Sequence, residues 1–103
     1  MSKKLKRFTL EDEHQQECCE NVYADFESAD WWLFDEDKYE NVKELSKSIE
    51  IVEGSGFRIG GVFVPCYDSQ NGYYSNNLRL IITDNKTQKK VSVNITSATK
   101  SDY

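Results

Sequence analysis

The chain carries one histidine, one proline, one methionine and three cysteines among its 103 residues, and each scarcity removes a class of answer. With His14 alone, a Ser-His-Asp or Cys-His constellation has a single imidazole to draw on. No Gly-x-Ser-x-Gly, phosphate-binding loop or His-Glu-x-x-His motif is present. The sequence therefore reads as that of a non-enzyme, and no catalytic residue is named. It has no Cys-x-x-Cys pair, the strongest sign of a zinc site, and an odd number of cysteines argues against a closed disulfide framework. No apolar run approaches the roughly 20 residues that cross a bilayer. The basic start MSKKLKRF leads into FTLEDE without the apolar stretch of a signal peptide. A cytoplasmic protein with no membrane partner is expected.

What is present is charge, unevenly spread. Residues 1–10 hold four bases and no acids, residues 11–53 fifteen acids against three bases, and residues 54–103 three acids against six bases. A middle block of that sign repels phosphate backbones, so direct nucleic-acid binding through it is disfavoured, whereas a basic protein surface is attracted. An acidic face that only keeps a small domain soluble is the plainer alternative. Aromatic residues make up 13% of the chain, enough to place it among globular proteins, and its length suits one domain. That domain should span 1–103, with 1–7 a flexible basic arm and 98–103 a frayed tail. No internal repeat is evident.

Leu5, Phe8 and Leu10 suit a first short strand or an extended arm, and EDEHQQECCE a helical turn or loop. Val22, Ala24 and Phe26 alternate as one face of a strand. DEDKYENVKELSKSI, residues 35–49, leads with acids and follows with lysines, and Tyr39, Val42, Leu45 and Ile49 recur at helical spacing; a single amphipathic helix is predicted. IEIVEGSGFRIGGVFVPCYD reads as two strands around a turn at Gly54-Ser55-Gly56, with Gly60-Gly61 a bend or bulge and Pro65 near a strand end or on a sheet edge. Leu78, Leu80 and Ile82, then Val91, Val93 and Ile95, mark two further strands after turns at Asn71-Gly72 and Asp84–Thr87. The expected fold is α+β: a single antiparallel sheet of about five strands with one amphipathic helix packed on one face.

Three groups of side chains carry candidate chemistry. His14, Cys18, Cys19 and Cys66 are the candidate metal ligands. In a helix His14 and Cys18 share a face, while in a strand Cys18 and Cys19 face opposite ways, so one of the pair joins Cys66 and a fourth ligand such as Asp68 or Glu17 is needed for a structural zinc. Buried free cysteines are the competing reading. Trp31 and Trp32 sit among Glu27, Asp30, Asp35, Glu36, Asp37 and Glu40, a pattern that suits an aromatic anchor ringed by charges that steer a basic partner; one tryptophan packed in the core is the structural alternative. Tyr67, Tyr73, Tyr74 and Arg79 are the candidates for a small-ligand pocket, with a nucleotide signal as the ligand class.

ECCENVYADF at 17–26 together with VPCYDSQNGYYSNNL at 64–78 resembles a family of small proteins encoded by bacteriophages and related mobile elements. The resemblance rests on Cys18, Cys19 and Glu20, on the Pro-Cys-Tyr segment, and on Gly72, Tyr73, Tyr74 and Ser75, and covers roughly residues 8–97. It implies a small α+β fold, a setting in the cytoplasm of an infected bacterial host, and no enzymatic activity. Small acidic phage proteins of this kind include anti-CRISPR proteins, which suggests by analogy an inhibitor that blocks the basic nucleic-acid channel of a host defence nuclease. An accessory phage protein with a structural zinc and no inhibitory role is the third reading.

Overall fold

Period-two alternation is the pattern the chain realises most fully. In a computed structural model, described over residues 2–14, 22–68 and 78–99, the strands are β1 Ser2–Lys4, β2 Phe8–His14, β3 Val22–Ala24, β4 Glu50–Val52, β5 Gly56–Ile59, β6 Val62–Asp68, β7 Leu78–Asp84 and β8 Lys90–Asn94. They form two four-stranded antiparallel sheets, ordered β1-β2-β7-β8 and β3-β6-β5-β4. Phe8 and Leu10 of β2, Leu78, Leu80 and Ile82 of β7, and Val91 and Val93 of β8 supply one side of the core. Val22 and Ala24 of β3, Phe57 and Ile59 of β5, and Val64 and Cys66 of β6 supply the other. Burying a ring such as Phe8 or Phe57 completely contributes about 2–3 kcal/mol.

The architecture is α+β in the broad sense, sheet-rich with one short helix, but the expected single sheet of about five strands is two sheets of four. The division into two sheets follows from β2 pairing with β7 and β3 with β6, and two segments supply the additional strands. Ser2–Lys4, expected as part of a flexible arm, pairs with β2 from Ser2 opposite Glu11 to Lys4 opposite Thr9. Gly60-Gly61, expected as a bend, is a two-residue hairpin turn: φ is +56° at Gly60 and +84° at Gly61, and Ile59 pairs with Val62 across it. Two successive positive φ angles make the turn that suits strand twist, which is why two glycines occupy it. At the other end of the chain, Ala98 is fully buried in a 3-10 turn, so the ordered fold reaches into the expected tail.

Pro65 does not end its strand. Residues 62–65 of β6 pair with β5 and residues 66–68 pair with β3 on the opposite side, so the strand changes partner at the proline. The Pro65 carbonyl accepts from Asp25 at 2.8 Å, just beyond the end of β3, and the Cys66 amide donates to Ser55 on the other side at 3.0 Å. In an antiparallel strand a residue's amide and carbonyl point the same way, so the donor that proline lacks falls where β3 has run out. β2 likewise continues past its expected end, pairing with β7 as far as His14 opposite Leu78. Asp12, on the inner face of β2, accepts from the Ala24 amide at 2.8 Å and so satisfies a donor of β3 from the other sheet.

The predicted helix over 35–49 shortens to α1, Val42–Lys47. Asn41 caps it, accepting from the Glu44 amide at 2.9 Å, while Glu44 reaches back to the Glu40 amide at 3.0 Å. Val42 and Leu45 are buried, and the helix packs on β7 and β8. Tyr39 and Ile49 pack against the core from outside the helix.

A Cβ at Gly60 would lie 2.5 Å from the Phe34 ring, whereas a Cβ at Gly61 meets open space. Gly61→Ala should therefore cost about 1 kcal/mol through backbone strain alone. Gly60→Ala should cost about 2–4 kcal/mol, because overpacking adds to the same strain. Urea denaturation of the two variants measures the gap, and equal losses would contradict the ring contact.

Candidate protein-interaction surface

Between β3 and α1 the chain makes three five-residue units in succession: Asp25-Phe26-Glu27-Ser28-Ala29, Asp30-Trp31-Trp32-Leu33-Phe34 and Asp35-Glu36-Asp37-Lys38-Tyr39. Each opens on an aspartate and continues as a 3-10 turn, over Phe26–Ser28, Trp31–Leu33 and Glu36–Lys38. Each closes when the amide of its fifth residue donates to the carbonyl of its second, at 3.4, 3.0 and 3.1 Å. This is a short-period repeat where none was expected. Aspartate suits the opening position because its carboxylate can accept from amides of the turn that follows. Asp25 accepts from the Ser28 amide and hydroxyl, at 3.3 and 2.6 Å, and Asp35 from the Asp37 amide at 3.1 Å. Asp30 makes no such bond and is exposed.

The aromatic residues of the units stack toward the core as one ladder. Phe26 lies 6.4 Å from Trp31, Trp31 meets Phe34 edge to face at 5.8 Å, and Phe34 stacks on Tyr39 at 6.0 Å. Trp31 also donates its indole N–H to the Phe26 carbonyl at 2.7 Å, so its polar atom is satisfied inside the protein. Trp32 points the other way and is 81% exposed, with Leu33 beside it at 55%. Of the two candidate anchors, Trp31 belongs to the fold and Trp32 to the surface.

Glu36 and Arg7 fix the ladder to the first sheet. The Glu36 carboxylate accepts from the amides of Arg7, at 2.7 Å, and Phe8, at 3.2 Å. In return, the Arg7 guanidinium donates to the carbonyls of Glu36 at 2.8 Å, Tyr39 at 2.7 Å and Glu40 at 3.2 Å. Glu36, expected to be a partner-facing charge, is instead occupied within the fold. Glu27, Asp30, Asp35, Asp37 and Glu40 remain exposed, the Asp37 side chain 91% so. Around Trp32 and Leu33 the segment thus presents carboxylates at fixed backbone positions.

Comparison with protein-family models, curated proteins and solved structures finds no match. The surface is therefore read from its own chemistry.

Cys18, Cys19, Tyr73 and Tyr74 lie outside the described residues, as does the His14 side chain. Cys66 is 5% exposed and unbridged. Burial, reinforced by the Asp12 carboxylate, pushes its thiol up to about 12, so the thiolate that a zinc ion needs is disfavoured in this setting. Among the described residues no three His, Cys, Asp or Glu side chains gather as metal ligands. Tyr67 and Arg79 do not share a site. Tyr67 stands on the outer face of the second sheet, 5.4 Å from the Tyr23 ring, and Arg79 on the outer face of the first.

Glu36→Gln keeps the shape of the side chain but weakens its two accepted bonds, and Arg7→Lys loses the planar fork; each should cost about 1–3 kcal/mol in urea denaturation. Cys66 gives a pH dependence. Its pKa is higher folded than unfolded, so between about 9 and about 12 the unfolded chain has released a proton that the folded chain keeps, and stability falls as pH rises. The slope is about 1.4 kcal/mol per pH unit. It should appear as a difference between wild type and Cys66→Ala, and parallel stability curves from pH 8 upward would show the thiol to be ordinary.

Proposed function

We propose that the protein is a protein-binding inhibitor whose acidic turn segment docks on a basic, nucleic-acid-binding surface of a host defence nuclease. The observation that carries this reading is Trp32, an 81% exposed indole next to exposed Leu33, on a backbone held by the aromatic ladder, with exposed Asp30, Asp35 and Asp37 within five residues of it in the chain. Large aromatic side chains are the commonest energetic anchors of protein interfaces, and like charges around them speed encounter with a partner of opposite sign. The same charges disfavour a phosphate backbone as the direct ligand. The counter-defence setting, in the cytoplasm of an infected bacterium, rests on the resemblance to small phage-encoded proteins and on the analogy with inhibitors that place carboxylates where a nuclease expects phosphates. Binding of a nucleotide signal by Tyr67 and Arg79 is less well supported, because the two residues stand on opposite outer faces.

Capture from bacterial lysate on the immobilised full-length protein tests the proposal, with retained proteins identified and then challenged with salt and with duplex DNA. A nucleic-acid-binding protein should be retained and released by both. Trp32→Ala should cost about 2 kcal/mol or more of binding, and the triple variant Glu27→Lys, Asp30→Lys, Glu40→Lys should abolish it, while the melting temperatures of both stay near that of wild type. Trp31→Ala should instead lower the melting temperature. Retention that survives the triple variant unchanged would overturn the assignment of this surface.

A further inference from the structure

A second surface lies on the outer face of the first sheet and is independent of the acidic turns. One register row crosses its four strands as Lys4, Thr9, Thr83 and Lys90. Together with Glu11, Asn85 and Gln88 these residues line an open groove of ≈ 370 Å³. Thr83 is 8% exposed, a buried polar residue in an otherwise apolar set. Its hydroxyl makes no hydrogen bond among the described residues, whereas the Thr9 hydroxyl beside it donates to Asn85 Oδ1 at 2.6 Å. A hydroxyl withdrawn from water without a partner is unfavourable, and one that lines a groove can be satisfied by a ligand. Lys4 and Lys90 flank the row from the two edge strands, and neither is in an ion pair among the described residues.

We propose that this groove binds inorganic phosphate through the Thr83 hydroxyl and the Lys4 and Lys90 ammonium groups. Glu11 sharpens the choice of anion. An ionised carboxylate only accepts hydrogen bonds, so beside it the ligand must carry a donor as well as acceptors. A monoprotonated phosphate has an O–H to give to Glu11 and oxygens for the lysines and Thr83; sulfate at neutral pH has the oxygens only. The groove thus favours phosphate over sulfate, although both anions meet the same two cations.

Amide chemical shifts of the full-length protein, titrated with inorganic phosphate at constant ionic strength, read the site directly. Thr9, Thr83 and Lys90 should show saturable shifts with a Kd on the order of 1 mM, and sodium sulfate should give none that saturate. Thr83→Val, nearly the same shape without the hydroxyl, should weaken phosphate binding about tenfold while its melting temperature in phosphate-free buffer is unchanged or higher. Lys90→Gln should weaken binding similarly, and Glu11→Gln should let sulfate bind. A small phosphomonoester run in parallel at about pH 7.5, where its second pKa of about 6 leaves it mostly without an O–H, should bind more weakly than phosphate, and equal or tighter binding would overturn the role given to Glu11. Shifts that do not saturate, or that are equal for phosphate and sulfate, would overturn the proposal, as would a Thr83→Val protein that binds like wild type.

Discussion

The exchange between Arg7 and Glu36 is the constraint on which the surface segment depends. Residues 25–40 join no sheet, so their backbone groups must find partners through turns and side chains or remain with water. Arg7 reaches three of their carbonyls from the turn between β1 and β2, and Glu36 returns two bonds to the amides of that turn and the start of β2. Charge assists every one of these bonds, and only a planar guanidinium spans carbonyls so arranged. On its other side the same turn is held by Asn85, which donates to the carbonyls of Leu5 and Lys6 and whose amide donates to Arg7. One three-residue turn, Leu5 to Arg7, therefore joins the hairpin between β7 and β8 to the acidic segment.

Charge order along the chain is carried only in part into spatial order in the fold. The first sheet is built from residues 2–14 and 78–94, mostly from the two basic-leaning parts of the sequence, while the acidic block forms the turns, α1 and the edge strands β3 and β4 of the second sheet, whose inner strands β5 and β6 come from the basic-leaning last part. Block composition marked out the acidic segment, but it could not say that the two ends of the chain pair with each other. That pairing, β2 against β7, joins segments more than sixty residues apart. Alternating strands were legible because period two survives in Phe8/Leu10, Leu78/Leu80/Ile82 and Val91/Val93, where one face is buried. Partner choice was not, because the hydrophobic pattern of a strand fixes its face and leaves its neighbour open.

The long helix is broken because short-range chemistry outranks periodicity. Tyr39, Val42, Leu45 and Ile49 have helical spacing, yet Asp35 and Asn41 each accept from a nearby amide, and each starts a separate turn or helix instead of one long helix. Aspartate at 25, 30 and 35 was a visible signal of fivefold spacing, masked by the density of acids around it. Gly60-Gly61 looked like a bulge because one strand either side of a turn and one bent strand have the same composition. Which tryptophan would be exposed was beyond reach of the sequence, since the indole N–H bond to Phe26 decides it and depends on the turn geometry. Cys66 was correctly weighed as a candidate buried thiol, but the role of Asp12 beside it needed the packing of one sheet on the other.

The ladder has a further effect on Trp32. Trp31 just before it and Phe34 two residues after it are pinned by ring contacts and by the hydrogen bond that closes their unit. The backbone beneath the exposed indole has therefore already lost its freedom before any encounter, and a partner needs to restrict only the side-chain torsions. Ordering a loop on association commonly consumes much of the gross interaction energy. An exposed ring mounted on a rigid turn avoids most of that loss, which is the physical advantage this geometry would give to any contact made there.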